Sequence, residues 1–319
     1  MVFLPGQVFK NFNVVILNDA LIEGNETLPL SLVNPSAGTS LGLSSVALVI
    51  DQDTREVLFR KNDSAVLPIA SLTKLMTGLV VVDSHLPMDE ELEISNDDID
   101  TERNTHSRLG VGTRLRRDEL LLLALMSSEN RAAMALSRNY PGGRPAFLAQ
   151  MNEKARALGM HSSHFADPAG LSNQSMSTAN DLHKLLNAAY SRPLIRSYTT
   201  QVESTVVAKG RLLTFINSNR LVRSSDNWDI ELQKTGFTNE AGRCLVMQVN
   251  VKQRRLAMIF LDSNGTMTRY ADAARIRRQL ERQAKVGGKP GPDDLVLAGV
   301  PARFKVGKTW LQLHQGMLV

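Results

Sequence analysis

The sequence predicts an α/β unit: an antiparallel sheet assembled from two distant stretches of chain, flanked by helices, with a mostly helical lobe inserted between the stretches. Three observations carry this reading. Ser44 to Ile50 (SSVALVI) is β-branched and apolar, Glu56 to Arg60 (EVLFR) alternates, and the Asp51-Gln52-Asp53 turn signal between them makes a hairpin. From Ser71 the pattern changes to helical spacing, with Leu72, Leu75, Met76, Leu79 and Val80 on one face. Bulky and β-branched runs then return as strands at Trp228 to Thr235, Arg243 to Val251 and Arg255 to Asp262.

The remaining elements follow in order. Gly110 to Thr113 is a turn, and Asp118 to Met126 (DELLLLALM) is apolar on all sides, which predicts a helix buried inside its lobe. Further helices fit Asn130 to Arg138, Arg144 to Leu158 and Asn180 to Tyr190. A last amphipathic helix spans Thr268 to Gln283, with Tyr270, Ala273, Ala274, Ile276 and Leu280 inward and the arginines outward. Gly287 to Pro292 breaks regular structure. The expected organisation is an extension over residues 1–43, the α/β unit over 44–284, and a linker and tail over 285–319.

Composition bounds the function classes. The 319 residues are 43% hydrophobic, 22% charged and 5% aromatic, as in a globular protein with ample chain for a core. A single cysteine, Cys244, excludes an intramolecular disulfide and a Cys-based zinc cluster, and it reads as a packing residue. The net charge of +5 is mild, and no basic run is interleaved with aromatics, so nucleic-acid binding is not expected. The longest apolar run, Leu120 to Met126, is far short of the ~20 residues of a membrane-spanning helix. The first 50 residues carry one basic residue, Lys10, and Val14 to Leu17 is too short for a signal core, so no export signal is expected there.

Three short motifs carry chemistry. Ser71-Leu72-Thr73-Lys74 is Ser-x-x-Lys, Ser128-Glu129-Asn130 is Ser-x-Asn, and Lys234-Thr235-Gly236 is Lys-Thr-Gly. A serine hydroxyl needs an adjacent base to attack at neutral pH, and residues three apart on a helix share a face, so Lys74 can reach Ser71. Lys74 acts as a base only when neutral, which requires burial and nearby positive charge, and Lys234 is the expected source of that charge. Ser71 in the first turn of a helix would aim free N–H groups at the reacting centre, and the N–H of Phe237 would complete an oxyanion hole. Gly236 lets another backbone or a substrate approach the strand closely.

Each motif has an ordinary alternative. A lone Ser-x-x-Lys is usually a helix cap with a solvated lysine. Ser225-Asp226-Asn227 repeats the Ser-x-Asn pattern in a polar segment, where it reads as a turn. Ser128 to Asn130 instead joins a buried helix to another, where polar groups are costly unless bonded or used. His161-Ser162-Ser163-His164 has metal-like spacing but reads as a surface turn, so no metal or cofactor is expected.

The conjunction and order of these motifs resemble the serine D-Ala-D-Ala peptidases, and most closely the penicillin-binding protein 7 group of D-alanyl-D-alanine endopeptidases. The similar stretches are Pro68 to Asp83, Leu121 to Leu136, Tyr140 to Gly143, Asp167 to Ser172 and Asp226 to Met247, within Ser44 to Glu281. The resemblance implies a penicillin-binding/β-lactamase-like fold. It implies that Ser71 forms an acyl-enzyme, Lys74 takes its proton and Ser128 relays a proton to the leaving amine. Asn130 would hold the substrate amide, Lys234 and Thr235 its anionic end, and the N–H groups of Ser71 and Phe237 the oxyanion. The implied partners are peptidoglycan peptides, with β-lactams as covalent inhibitors, and the implied compartment is the periplasm. Carboxypeptidase release of terminal D-Ala needs the same residues. A class A β-lactamase would need a Glu-x-x-Leu-Asn pattern that Phe165 to Leu171 lacks, and a silent wall-binding protein would not need the intact motifs.

Residues 12–42 do not match that group. Asn18-Asp19-Ala20, Glu23 to Thr27 and Leu32 to Ser36 are similar to part of a Calx-β repeat, which makes Asp19, Glu23 and Glu26 calcium-ligand candidates. So short a segment supplies only part of a sandwich with bare edges, so a complete calcium site is not expected.

Overall fold

Every position of β1 (Val46–Asp51) is buried, so this strand is covered on both faces, and its apolar run lacks the alternation of a half-wet strand. The computed structural model describes residues 45–226, 228–285, 302–306 and 309–313. In chain order β1 is followed by β2 (Val57–Lys61), β3 (Leu67–Pro68), α1 (Thr73–Asp83), β4 (Glu91–Glu93), β5 (Arg114–Arg116), α2 (Arg117–Met126), α3 (Asn130–Arg138) and α4 (Gly143–Ala157). Then come β6 (Met176–Ser177), α5 (Ala179–Tyr190), α6 (Pro193–Thr200), β7 (Glu203–Ala208), β8 (Arg211–Ile216), β9 (Asp229–Thr238), β10 (Gly242–Val251), β11 (Arg254–Ser263) and α7 (Thr268–Lys285).

The main sheet has the order β2-β1-β11-β10-β9, antiparallel throughout, so the early hairpin and the three late strands do meet in one sheet. Side chains alternate along each strand. Val46, Leu48, Ala257, Ile259, Cys244 and Val246 join the main core, on the face where α5 packs. The opposite face lies against α7, which packs on β10 and β11 with Tyr270, Ala273, Ile276 and Leu280 buried. Cys244 is fully buried, and burial pushes its thiol up to about 11, so it packs rather than reacts.

The inserted lobe is built around α1. The spacing predicted one apolar face, but Thr73 through Val81 are all buried. The helix is enclosed by α2, α3, α4, α5 and α6, and Gly78 lets α2 approach, since a Cβ there would stand 3.1 Å from Leu125. The helices at α2, α3, α4, α5 and α7 match the sequence expectation to within a few residues. The α6 helix, the β7/β8 hairpin and the two-stranded pairs β3/β6 and β4/β5 were not foreseen. Among the described residues, no helix is long and apolar enough to cross a membrane.

The chain divides into two compact units, residues 40–289 and residues 1–39 with 290–319. In the second, β12 (Ala302–Val306) and β13 (Thr309–Leu313) pair as an antiparallel hairpin. The calcium-ligand candidates Asp19, Glu23 and Glu26 lie outside the described residues.

Candidate active site

Ser71 sits in a 3-10 turn, Ala70–Leu72, just ahead of α1 rather than in the first turn of the helix as expected. The cause is the residue before it. Ala70 has φ 47, a left-handed conformation that an alanine adopts only when its surroundings impose it. Two glycines leave room for it here. A Cβ on Gly170 would stand 1.9 Å from the Ala70 carbonyl oxygen, and one on Gly236 would stand 3.0 Å from the Ile69 oxygen and 3.2 Å from the Ser71 nitrogen. The Ser71 turn is clamped between a loop on one side and β9 on the other.

That loop is built around one carboxylate. Asp167 accepts from the backbone N–H groups of Ala169 at 2.8 Å, Gly170 at 2.5 Å, Leu171 at 3.0 Å and Ser172 at 3.0 Å, and from the Ser175 hydroxyl at 3.0 Å. It is tied to α1 by Thr77, whose hydroxyl donates to the Pro168 carbonyl at 2.6 Å.

Lys74 is fully buried, and its Nζ donates to Ser71 Oγ at 2.9 Å, Asn130 Oδ1 at 2.7 Å and the Ala169 carbonyl at 2.6 Å. Asn130 is held in turn, since its Nδ2 donates to Thr105 Oγ1 at 2.9 Å and Thr105 donates to Asp100 Oδ2 at 2.7 Å. One amide hydrogen of Asn130 stays available for a ligand. Burial pushes the Lys74 ammonium down to about 8 against the pull of the Asp167, Glu129 and Asp100 carboxylates. Burial, one of the two causes expected to lower Lys74, is the dominant one. Lys234 is held well below the ordinary lysine range, by burial first and then by the Lys74 and Arg269 cations.

Lys234, Thr235 and Gly236 lie on β9, an edge strand whose free side faces the Ser71 turn. Lys234 is fully buried, and among the described residues its Nζ donates only to the Thr235 carbonyl, at 3.0 Å. The Thr235 hydroxyl is 2.7 Å from Ser218 Oγ, and the Ser218 N–H donates to the Met126 carbonyl at the end of α2, at 2.9 Å. Ser128 follows that helix end with φ 65, a strained position of the kind found at reacting centres. Its hydroxyl is not among the partners of Lys74. The ring of Phe237 is half exposed, with the Arg243 guanidinium 4.2 Å above it.

The structure adds Arg269, which the sequence reading placed outward with the other α7 arginines. It is 6% exposed, its Nη2 donates to the Tyr270 hydroxyl at 3.1 Å, and its Nε and Nη1 have no partner among the described residues. A signal was available, because Arg269, Ala273, Ile276 and Leu280 follow one another at helical spacing along the inward stripe. Buried N–H groups without acceptors beside a buried lysine make a receptor for an anion.

Other candidates fall elsewhere. Asp226 of the second Ser-x-Asn segment donates its N–H to Ser224 Oγ at 3.1 Å in a turn before β9. In the His161 to His164 segment, Ser162 N–H and Ser163 Oγ both donate to Asp181 at 2.9 Å, and His164 bridges to Met176. A cavity of about 520 Å³ lined by Asp97, Asp100, Glu102, Arg138, Asp167 and Leu171 lies behind the Asp167 loop and contains none of the three motifs.

The family model for D-alanyl-D-alanine carboxypeptidase matches residues 40–265. A D-alanyl-D-alanine endopeptidase of Pseudomonas aeruginosa is 48% identical over 252 residues, covering 77% of this chain and 81% of that protein. One from Escherichia coli is 40% identical over 276 residues, covering 85% and 89%. The crystal structure of a Streptomyces DD-transpeptidase superposes with a TM-score of 0.68 at 26% identity, over 74% of this chain and 95% of that one.

Proposed function

The chain belongs to the D-alanyl-D-alanine carboxypeptidase family, and from that premise we propose that it is a serine D,D-peptidase that hydrolyses D-Ala-containing cross-links of peptidoglycan. The carrying observation is the 2.9 Å hydrogen bond between a buried Lys74 and Ser71. Neutral Lys74 takes the Ser71 proton as Oγ attacks the carbonyl of the D-Ala residue. The C–N bond then breaks, and the proton reaches the leaving amine through Ser128. Water attacks the resulting ester and restores Ser71, so the products are two separate peptides.

Lys234, Thr235 and Arg269 hold the anionic end of the leaving segment, the free amide hydrogen of Asn130 holds the substrate amide, and the N–H groups of Ser71 and Phe237 face the oxyanion. A β-lactam resembles the acyl-D-Ala-D-Ala unit and acylates the same serine. Rapid release of that adduct, as in a class A β-lactamase, needs a carboxylate on the loop to activate water. The only carboxylate there, Asp167, is engaged by four backbone N–H groups. Slow deacylation is therefore expected. The substrate lies outside the cytoplasmic membrane, which makes the periplasm the site of action.

The test is product analysis after digestion of cross-linked muropeptide dimers. Monomers are expected, and the Ser71→Ala variant should yield none and take no label from a fluorescent penicillin. Free D-Ala without monomers would assign the carboxypeptidase activity instead.

The pH profile follows from Lys74. With a pKa of about 8, the group is ~10% neutral at pH 7. The acylation rate with a penicillin should rise about tenfold per pH unit below 7 and level off above about 8. A rate flat from pH 6 to pH 9 would remove Lys74 as the base.

A further inference from the structure

One ion pair spans the cleft and is not used by the mechanism above. Arg103 lies between Asp100 and Thr105, in the segment that supports Asn130. Its Nε donates to the Leu171 carbonyl of the Asp167 loop, and its Nη2 stands 2.8 Å from the Glu240 carboxylate, in the turn between β9 and β10. A single side chain thus joins the wall that carries Lys74 and Asn130 to the far end of β9.

Its place along the cleft fixes which part of a substrate it meets. Gly236 faces the Ser71 nitrogen. On one side of it lie Lys234 and the unpartnered N–H groups of Arg269, which take the anionic leaving segment. On the other side β9 runs through Phe237 to its end at Thr238, and the turn that follows carries Glu240, so the acyl-donor segment of a substrate lies toward Arg103.

The pair suits exchange of its anion. The Glu240 side chain is 45% exposed and that of Arg103 22%, so water screens the attraction and the pair contributes little. The Leu171 carbonyl orients the guanidinium independently of Glu240, and a guanidinium offers five donors. The hydrogen bond from Arg103 is the main reason the Glu240 carboxyl stays below its usual range, so the place is held by an anion at neutral pH.

We propose that Arg103 is a specificity-determining residue for the donor side of the cleft: its guanidinium receives a carboxylate borne by the acyl-donor peptide, and Glu240 occupies that place until the substrate arrives. This rests on the D,D-peptidase reading above.

The test uses two D-Ala-D-Ala peptides that differ only in the residue preceding that pair, which carries a free carboxylate in one and a carboxamide in the other. The full-length protein should prefer the acid by at least ~10-fold in kcat/KM. Arg103→Gln should bring the ratio to about one through a loss on the acid far larger than any on the carboxamide, with Ser71 still labelled by penicillin, and Arg103→Lys should retain part of the preference. Glu240→Gln should raise kcat/KM for the acid a few-fold through a lower KM, since it removes the competing anion. Equal losses on both peptides in Arg103→Gln, an undiminished preference, or slower turnover of the acid by Glu240→Gln would overturn the proposal. The peptidase reading is tested separately: if the unaltered protein neither takes the penicillin label nor turns over the carboxamide, that reading fails and this one with it.

Discussion

Gly170→Ala is expected to cost about 3–5 kcal/mol of stability and at least ~100-fold in the rate of Ser71 acylation per folded molecule. Two effects combine. Gly170 has φ 75, where any side chain is strained, and its added Cβ would stand 1.9 Å from the Ala70 carbonyl oxygen. The Ala70 carbonyl cannot yield without turning the next residue, which is Ser71, and a shift of about 1 Å at a nucleophile is enough to lose two orders of magnitude. Gly210→Ala is the control. It shares the left-handed backbone, with φ 74, but nothing lies within 4 Å of its added Cβ. That variant should lose about 1 kcal/mol and keep its acylation rate, as measured by thermal melting and fluorescent-penicillin labelling. Equal acylation rates in the two variants would show that the glycine clamp does not position Ser71.

The clamp also marks where the sequence stops being legible. Ser71 and Lys74 are three residues apart, so their contact is local and readable from the motif, and the conjunction with Ser128 to Asn130 and Lys234 to Gly236 identifies the site. What holds these residues is not local. The left-handed Ala70 depends on Gly170, and Gly170 depends on a network centred on Asp167, in a loop that the sequence marked by resemblance alone and not by any motif with a readable role. Likewise the cause of the lowered Lys74 pKa is enclosure on all sides of α1, which the spacing of one apolar stripe did not imply. Arg269 was misplaced because arginine on an amphipathic helix is usually solvated, yet its position on the inward stripe outweighs that tendency.

The fold shows the same division. The main-sheet strands and the long helices were legible because each buries a continuous run or a regular stripe. The β7/β8 hairpin was not, since its exposed face carries Val207 opposite Leu212 while Val206 and Phe215 are buried, which erases the alternation. The eight-residue α6 buries only Ile195 and Thr199, too little to show a period.

Lys234→Met should raise the melting temperature at pH 7 while removing most activity, and the two effects have one cause. Lys234 is fully buried, its only hydrogen-bond partner among the described residues is the Thr235 carbonyl, and the charged groups that lower it are the cations Lys74 and Arg269. A buried charge without a counter-ion destabilises the fold, and an apolar side chain of similar length relieves that cost. An increase of about 1–2 kcal/mol, or ~2–8 °C, is expected. Because the folded pKa lies well below 10.5, the native state binds fewer protons than the unfolded chain. The destabilisation is complete below the folded pKa and disappears as pH rises past the unfolded value. The stability gap between variant and parent should therefore narrow as pH is raised toward about 10.5. The same unpaired cation is what an anionic substrate end neutralises, so kcat/KM for a peptide ending in a free carboxylate should fall by ~100-fold or more. A variant that melts below the parent at pH 7 would mean that Lys234 is already compensated in the free protein. The site would then hold no stored demand for an anion, and substrate recognition would have to rest on Arg269 and Thr235 alone.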